Sequence, residues 1–579
     1  MIFQLRYIRL ILLIAMIPAF GVSQNIGTKS RPNVIILYFD DLGYGDLGAN
    51  NPTGLEIPVN SEYLSNSKQT LTPNLDKLAM QGIRFTNGHS ADAVCSPARY
   101  ALLTGRYAWR TALKSGVLGG YSKTFMPKNQ FTIANMFKSL GYHTAMVGKW
   151  HIGMQFYNEE GKPVKLPTNP KPTILENNTI DFSKPLTDTP FHHGFEYFYG
   201  TTASLDMYPY AWVESNNKKV HVLIKGGVVN NDKVYFTEAK IASNEDLKEG
   251  NMPFKSRPGV YDPSFAQEDY LQIQSQKVRD LMKCYESSEE PFFIYVPIPA
   301  PHEPYAIQQK FKGVTGFDYG DYLVQTDYYA GEIIDALGDP NDPKSLASNT
   351  IVFVTSDNGP ENAAYRTGIK VGHDSNGPYK GIKRDNWEGG TRVPFIIRWP
   401  EIVKPKTVTS DVFLQGDFIA TMADYFGFKL DYNSKAPDAE SFLPVLSGTK
   451  MPEKRRPAII QHSSKGQFAI VDYKGEWKLI DGTAGGGNNH TPDSNNNMII
   501  NARGKIGGTP RQLYNLLSDP GEQDNLLVDD PNNPNDNSSP SKEHLEKEKE
   551  LYELLVLIRG NKPKGTIGTS YVNAKNNRK

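Results

Sequence analysis

Acidic and amide side chains follow two apolar runs of the chain. Asp40 and Asp41 come directly after one run, and Asp357 and Asn358 follow another. Carboxylate and amide oxygens are hard ligands, which suit Ca²⁺ or Mg²⁺ better than zinc. Adjacent aspartates crowd like charges, and a bound cation would relieve that cost. The pattern predicts one divalent-cation site, while a helix cap at the first pair and a turn at the second stay open as alternatives.

Basic side chains follow two further apolar runs. Lys149 and His151 come after the run 143–147, and His302 follows the run 292–296 by a few residues. In open α/β sheets the ligand crevice lies at the carboxyl ends of the strands, so we expect these residues to converge with the acidic set. A solvent-exposed lysine and a core histidine are the alternatives for Lys149 and His151.

Cys95 opens a segment with the features of a helix start. Ser96 can cap a helix and Pro97 can occupy its first turn, which would put Cys95 at the positive end, with Arg99 about one turn on. A helix N-terminus beside an arginine binds anions readily. A lone cysteine is ordinarily a packing residue, which is what we expect of Cys284, but its position at a helix start favours a functional Cys95.

The elements that must position these residues are predicted from apolar patterning. Continuous β-branched runs predict buried parallel strands at residues 34–39, 143–147, 292–296, 351–355 and 395–398. Helices are predicted after Thr72-Pro73 and over 132–140, each ended by a glycine. Strands alternating with helices indicate a doubly wound α/β sheet.

The pattern changes beyond about residue 451. Short alternating segments at 468–473 and 477–480 predict a small antiparallel sheet, closed by a helix over 543–558. The predicted divisions are a signal peptide at 1–23, a large N-terminal α/β domain at 24–450, a smaller C-terminal α+β domain at 451–560 and a basic tail at 561–579.

The first residues of the chain have the pattern of a secretory signal peptide. Arg6 and Arg9 precede an apolar run at 10–20, and small residues follow at Gly21 and Ser23, which is the order of a secretory signal. The run is shorter than the roughly 20 apolar residues of a membrane anchor. We expect an exported protein, periplasmic or extracellular, without a stable membrane anchor; a disordered hydrophobic leader is the alternative.

The overall charge argues against a nucleic acid or an anionic membrane as a partner. The 579 residues contain 63 Lys+Arg and 63 Asp+Glu, whereas nucleic-acid and anionic-membrane binders normally carry a basic excess. The two cysteines are distant, so they form neither a disulfide framework nor a Cys-x-x-Cys pair. We expect no nucleic-acid partner, and any anion site must be local.

Several motifs together resemble one enzyme family. The segment from Cys95 to Arg99, Cys-Ser-Pro-Ala-Arg, with Thr-Gly-Arg at 104–106, resembles the Cys-x-Pro-x-Arg signature of type I sulfatases, in which a maturation enzyme converts the cysteine to formylglycine (3-oxoalanine). Further matching motifs are Asp-Asp at 40–41, Thr-Pro-Asn-Leu-Asp at 72–76, Gly-Lys-Trp-His at 148–151, Pro-His at 301–302, Ser-Asp-Asn-Gly at 356–359, Lys383, Glu-Gly-Gly-Thr-Arg at 388–392 and Leu-Tyr-Asn-Leu at 513–516. Their order and number make the resemblance specific over nearly the whole mature chain. It implies an alkaline-phosphatase-like fold with a large, mostly parallel central sheet and a smaller C-terminal domain.

The resemblance also implies a role for each site residue. One Ca²⁺ would be bound by Asp40, Asp41, Asp357, Asn358 and the modified Cys95. Arg99 and Lys149 would hold the hydrated aldehyde and the sulfate, and Lys383 would contact the sulfate. His302 would protonate the leaving oxygen, and His151 would assist breakdown of the covalent intermediate.

The activity implied is hydrolysis of a sulfate ester to an alcohol and sulfate. The sequence is similar to carbohydrate sulfatases of polysaccharide-degrading bacteria, which favours exo-action on sulfated oligo- or polysaccharides of the galactose or N-acetylgalactosamine 6-sulfate type. His373 and Asp374, in a polar loop before Lys383, are candidate contacts to sugar hydroxyls. The alternatives are a broad arylsulfatase, a phosphoesterase on the same scaffold and an inactive module that binds sulfated glycans.

Overall fold

A computed structural model gives the fold of most of the chain between its two ends. It describes residues 31–51, 70–164, 180–182, 184–216, 233–234, 240–241, 257, 259–262, 264–452, 455–482, 484–488, 490–492, 498–500, 511–527 and 540–560. The predicted signal peptide at 1–23 and the predicted tail at 561–579 lie outside the described residues.

The strands and helices are numbered along the chain. The strands are β1 (Asn33–Asp40), β2 (Ile83–Phe85), β3 (Gly88–His89), β4 (His143–Lys149), β5 (Tyr197–Thr201), β6 (Val213–Asn216), β7 (Lys233–Val234), β8 (Lys240–Ile241), β9 (Val260–Tyr261), β10 (Phe292–Pro301), β11 (Thr350–Ser356), β12 (Phe395–Arg398), β13 (Thr407–Thr409), β14 (Phe413–Leu414), β15 (Ala458–His462), β16 (Phe468–Asp472), β17 (Trp477–Ile480), β18 (His490–Pro492), β19 (Met498–Ile500) and β20 (Gln512–Asn515). The α-helices are α1 (Pro73–Met80), α2 (Cys95–Thr104), α3 (Ile133–Ser139), α4 (Tyr270–Glu286), α5 (Asp318–Asp335), α6 (Asn362–Ile369), α7 (Glu388–Thr391), α8 (Asp417–Phe426), α9 (Leu443–Leu446) and α10 (Lys542–Arg559).

The main sheet is mixed but parallel at its centre. Its described strands lie in the order β13-β2-β12-β11-β1-β10-β4-β5-β6-β7. Strand β1 pairs in parallel with β10 and β11, and β10 pairs in parallel with β4. Helices α4 and α5 pack against β10, so this central strand is buried along its whole length. The predicted large, mostly parallel sheet is confirmed.

One predicted parallel strand runs the other way. Strand β12 has the predicted bounds, but it pairs antiparallel with both β11 and β2. All of its residues are buried. A continuous apolar run therefore indicated burial correctly, but it holds no information on strand direction, and the prediction of a parallel strand at 395–398 is wrong.

A second, smaller sheet is antiparallel. Its strands lie in the order β15-β16-β17-β20, and α10 packs against β16 and β17. Their apolar residues form a separate core that also contains Tyr107, Trp109 and Trp387 from the part of the chain before residue 451. The predicted C-terminal sheet with its helix is confirmed, while the domain boundary at residue 451 stays a prediction.

The helix predicted after Cys95 begins one step earlier than expected. Helix α2 starts at Cys95 itself, with Val94 as the extended N-cap residue, and it ends at Thr104, where Gly105 follows with a φ of +60° that suits glycine. The prediction that Ser96 caps the helix is wrong, because Ser96 lies in the first turn and its Oγ accepts a hydrogen bond from Leu118 N at 3.1 Å.

In the described part of the chain, no helix combines the length and apolar character that crossing a bilayer requires.

Candidate active site

The carboxyl ends of β1 and β11 bring the acidic residues together. Asp40 ends β1, Asp357 follows β11, and the Asp357 amide donates to the Phe39 carbonyl at 3.0 Å. The Asp41 amide in turn donates to Asp357 Oδ1 at 3.2 Å. Asp41 has a φ of +66°, a left-handed conformation that is uncommon for residues other than glycine, although aspartate adopts it more readily than most. The predicted convergence of the acidic set is therefore what the structure displays.

The basic side chains of the site are paired with these carboxylates. The buried guanidinium of Arg99 donates to Asp357 Oδ2 from Nε at 3.1 Å and from Nη2 at 2.8 Å. Lys149 Nζ donates to Asp40, and Lys383 Nζ lies 2.6 Å from Asp41 Oδ1. Arg99 Nη2 also lies 3.3 Å from Asp40 Oδ2, so each carboxylate faces at least one cation.

The pKa values of two carboxyl groups in the acidic cluster shift in opposite directions. Burial favours the neutral form of Asp40, but Lys149, His302 and Arg99 outweigh it and hold the pKa of Asp40 well below its usual range. Burial, reinforced by the charge of Asp40, raises the pKa of Asp357 to about 6 despite its pairing with Arg99. The cluster therefore has room for further positive charge.

The oxygen donors of the site fit a hard divalent cation. Ligand atoms of Asp40, Asp41, Cys95 and His302 all lie within 4.8 Å of one another, a group that leaves out the predicted ligand Asp357, whose carboxylate accepts from Arg99. Asn358 Nδ2 donates to Asp41 Oδ1 at 2.7 Å, whereas its buried Oδ1 accepts no hydrogen bond from any described residue. A buried carbonyl oxygen without a donor is costly unless something satisfies it, and Ca²⁺ prefers this kind of ligand.

Cys95 lies inside the acidic cluster. Its Sγ is 3.3 Å from Asp40 Oδ1, and the residue is 2% exposed. Burial, followed by the charges of Asp357 and Asp40, raises the pKa of the thiol well above its usual value. Since the thiolate is the reactive form of cysteine, this environment suppresses ordinary thiol nucleophilicity despite the helix start.

The two predicted histidines differ in their surroundings. His302 keeps 13% of its side chain exposed, and its Nε2 lies 3.8 Å from Asp41 Oδ2. His151 is buried, and its Nε2 is 2.7 Å from the Leu118 carbonyl. A carbonyl only accepts, so Nε2 carries the proton and Nδ1, which has no partner among the described residues, is free to accept one. Burial, with Lys149 and Arg99, lowers the pKa of His151 well below its usual value and keeps the ring neutral.

His373 and Asp374 lie beside the loop that follows β1. His373 Nε2 is 2.7 Å from Asp46 Oδ1, and Tyr319 donates its hydroxyl to Asp46 Oδ2 at 2.5 Å. Asp374 accepts from the amides of its own turn, at residues 376 and 377. The structure does not bring either side chain into contact with the acidic cluster, and their contact with a sugar stays a prediction.

Two residues near the site escaped the sequence reasoning. Glu361 accepts from both terminal nitrogens of the Arg384 guanidinium, at 2.7 and 2.6 Å, and lies 3.9 Å from Lys383 Nζ. Arg384 directly follows Lys383 and has a φ of +84°. Their positions next to motifs at 356–359 and 383 were the available signal, but charged residues near a motif are too common to single out.

Comparison with known proteins agrees with this geometry. The Sulfatase family model matches residues 32–428. An N-acetylgalactosamine-6-O-sulfatase of Bacteroides thetaiotaomicron is 30% identical over 567 residues, which cover 93% of this chain and 95% of that protein. Arylsulfatase A of Homo sapiens is 28% identical over 518 residues, covering 88% of this chain and 85% of that protein.

Solved structures share the architecture. A Bacteroides thetaiotaomicron sulfatase, solved in work on its metabolism of multiple glycosaminoglycans, has a TM-score of 0.68 at 28% identity and covers 91% of this chain and 99% of its own. Ps i-CgsB in complex with k-i-k-neocarrahexaose has a TM-score of 0.60 at 20% identity, covers 95% of this chain and 97% of its own, and is similar in fold. The fold is thus alkaline-phosphatase-like, as predicted. The chain belongs to the sulfatase family, whose members are sulfuric ester hydrolases.

Proposed function

We propose that the protein is an exported, calcium-dependent sulfatase that removes sulfate from carbohydrates with a formylglycine made from Cys95. The observation that carries the proposal is the arrangement around Cys95, where Asp40 faces the sulfur and three buried cations lie beside the acidic cluster. An anionic ester needs such cations, since they offset its charge and stabilise the charge that builds on the oxygens during transfer. The cations are Arg99, Lys149 and Lys383.

The metal and the modified residue would complete the site. Asp40, Asp41, Asp357 and Asn358 would hold Ca²⁺ together with residue 95, and the bound ion would add positive charge next to the sulfate. Oxidation of Cys95 by a formylglycine-generating enzyme supplies an aldehyde whose hydrate has one hydroxyl to attack sulfur and a second to expel sulfate. The raised pKa of the unmodified thiol supports a need for this conversion.

The cations of the chain itself orient the ester. Arg99 is fixed on three sides, because Asp357 accepts from it twice and the Lys149 carbonyl accepts from Nη1 at 3.1 Å. Lys149 and Lys383 point at the carboxylates proposed to bind the ion, so their ammonium groups are within reach of an anion bound at the same place. An ester held by several fixed cations is bound in one orientation for in-line attack.

The histidines fit the two proton transfers. His302, at the exposed side of the cluster, donates a proton to the alkoxide oxygen as the S–O bond breaks. His151, neutral and with Nδ1 unpartnered among the described residues, would accept the proton of the second hydroxyl, which would let sulfate leave residue 95. The sum would be sulfate ester plus water to alcohol, sulfate and one proton.

We propose a terminal sugar 6-sulfate as the substrate, of the galactose or N-acetylgalactosamine type. The name of the relative that is 30% identical supports this class. The residue to be modified is 2% exposed, so a sulfate on the exocyclic carbon of a chain end reaches it more easily than a sulfate on a ring inside a polymer. This argument also favours exo-action.

A panel of defined sulfated saccharides tests the proposal. Purified protein with confirmed formylglycine should release sulfate from 6-sulfated galactose or N-acetylgalactosamine at a chain end, and should release little from 4-sulfated or internal residues. Sulfate and phosphate esters of one reporter alcohol distinguish a sulfatase from a phosphoesterase. Preference for the phosphate would contradict the proposal. Release of sulfate from the reporter alone would instead indicate a broad arylsulfatase.

Export has a separate test. The mature N-terminus of protein recovered from the periplasm or medium is expected near residue 24, after the apolar run at 10–20. A mature chain that begins at Met1 would contradict the proposed signal peptide.

A further inference from the structure

The end of strand β15 holds the turn that leads into Cys95. His462, the last residue of β15, places Nδ1 2.7 Å from Asp92 Oδ2, and its carbonyl accepts from the Ala93 amide at 2.9 Å. Both side chains of the pair are 3% exposed. The smaller sheet therefore contacts the backbone two residues before the proposed nucleophile.

The same turn is tied to the lysine that faces Asp41. The Ala93 carbonyl accepts from the Arg384 amide at 2.8 Å, and the Arg384 carbonyl accepts from the Ser464 amide at 3.1 Å. These bonds and the one from Ala93 to His462 form a closed ring that joins three segments: the turn before α2, the loop of Lys383 and the end of β15. The pair of His462 and Asp92 adds a side-chain hydrogen bond to these backbone bonds.

We propose that His462 is a positioning residue, which holds the turn at 90–94 through Asp92 and thereby aligns residue 95 with Lys383. The inference rests on the proposed function, since it assigns a role in that reaction. His462 touches neither the acidic cluster nor the proposed ion ligands, so it acts only through the turn. A carboxylate only accepts, so the imidazole Nδ1–H is the donor to Asp92.

Small displacements of this turn matter because attack on sulfur needs a close and aligned approach. A shift of about 1 Å away from the reactive geometry can reduce the rate about 100-fold. The first residues of α2 depend on the turn, because Val94 caps the helix and the Ala98 amide donates to its carbonyl at 3.3 Å. Loss of the side-chain bond is therefore expected to lower kcat about 10- to 100-fold, with KM changed less than about threefold, because substrate-binding cations stay in place.

A pair of amide variants tests this role. The amide nitrogen of asparagine can occupy the place of imidazole Nδ1, whereas that of glutamine corresponds to Nε2. His462→Asn should therefore keep kcat within about threefold of the wild type, and His462→Gln should show the predicted loss. Rates are divided by the fraction of molecules with formylglycine, measured by peptide mass spectrometry. Asp327 is buried in α5, and its carboxylate accepts from the Asn74 amide at the start of α1, so Asp327→Asn is the control for a general effect on the fold.

Hydrogen exchange of the peptide that contains residues 90–95 gives a readout independent of activity. It should be faster in His462→Gln than in the wild type, His462→Asn or Asp327→Asn. Equal exchange, or a wild-type kcat per formylglycine in His462→Gln, would overturn the inference. Failure of the wild type to release sulfate would instead contradict the proposed function, and the exchange comparison would still test the turn. If His462→Gln does not fold, Asp92→Ala takes its place with the same expected results.

Discussion

Replacement of Lys383 by alanine removes one cation from the site and leaves the fold around it in place. Lys383 Nζ lies 2.6 Å from Asp41 Oδ1, and the residue is 4% exposed. The main chain at this position is held separately, because the Lys383 amide donates to the Pro360 carbonyl at 2.9 Å and Asn488 donates to the Lys383 carbonyl at 2.8 Å. The side chain can therefore be tested apart from the loop.

The size of the effect follows from two separate losses. Loss of one fixed donor to a transition-state oxyanion costs about 100- to 1000-fold in kcat, or about 3–4 kcal/mol. In protein without divalent ions, Asp41 also loses its buried partner, and breaking a buried pair in this way destabilises a protein by about 3–5 kcal/mol. Bound Ca²⁺ would take over the neutralisation of Asp41, so the loss of stability should shrink in the calcium-loaded protein while the loss of kcat persists.

Sulfate release and chemical unfolding measure the two losses separately. Wild type, Lys383→Ala and Lys383→Arg are compared at equal formylglycine content, with and without Ca²⁺. The control is Lys370→Ala, which replaces an exposed lysine at the end of α6. Lys383→Arg should recover part of the rate, because it keeps the charge but not the compact ammonium group. A kcat/KM of Lys383→Ala within about threefold of the wild type would refute the assignment of Lys383 to the sulfate.

Three further predictions concern the metal, the nucleophile and a buried carboxyl group. Chelation of divalent ions should abolish sulfate release and added Ca²⁺ should restore it, whereas full activity after exhaustive chelation would contradict the proposed ligands. Cys95→Ala should be inactive. Cys95→Ser should release alcohol once and retain a covalent sulfate ester, because its one hydroxyl can attack sulfur but no second hydroxyl remains to expel the sulfate. Continued turnover by Cys95→Ser would contradict the role of the hydrate. Burial raises the pKa of Asp327 from its usual 3.8 to about 7, so the folded protein binds the proton of this carboxyl more tightly than the unfolded chain does. The stability that this proton contributes is complete below pH 3.8 and is lost as the pH rises through about 7. The free energy of unfolding of the wild type, relative to Asp327→Asn, should therefore fall between pH 4 and pH 7, and a difference that rises with pH would show that this carboxyl is ionised in the fold.

The acidic part of the site was predictable because it follows from the geometry of a parallel sheet. Asp41 and Asp357 lie 316 positions apart in the chain, yet each follows an apolar run that had to become a buried strand. Adjacent parallel strands end at the same edge, so their next residues meet whatever the length of chain between them. The helix predicted over 132–140 is also confirmed, as α3 with Thr132 at its N-cap, where the Thr132 side chain accepts from the Asn135 amide.

Other features depend on information that local patterns lack. The antiparallel direction of β12 follows from its tertiary partners, and its apolar run is the same in either direction. The start of α2 at Cys95 overrides the usual preference for a serine cap, because the Ser96 hydroxyl accepts from the Leu118 amide instead. The positive φ of Arg384 similarly reflects tertiary hydrogen bonds on both sides of the residue.

The contact between Asp92 and His462 illustrates why the acidic cluster could be predicted from the sequence while the contacts of the turn before Cys95 could not. These residues are 370 positions apart, a separation close to that of the two aspartates at the strand ends. The difference is that the two aspartates follow neighbouring strands of one sheet, whereas Asp92 lies in the turn before α2 and His462 ends a strand of the smaller sheet. Pairing rules relate strands within a sheet, but no comparable rule relates a turn before a helix to the end of a strand in another sheet. The residues proposed to bind the metal at the ends of β1 and β11 therefore follow from strand order, while the residue proposed to hold the turn before Cys95 becomes visible only in the folded protein.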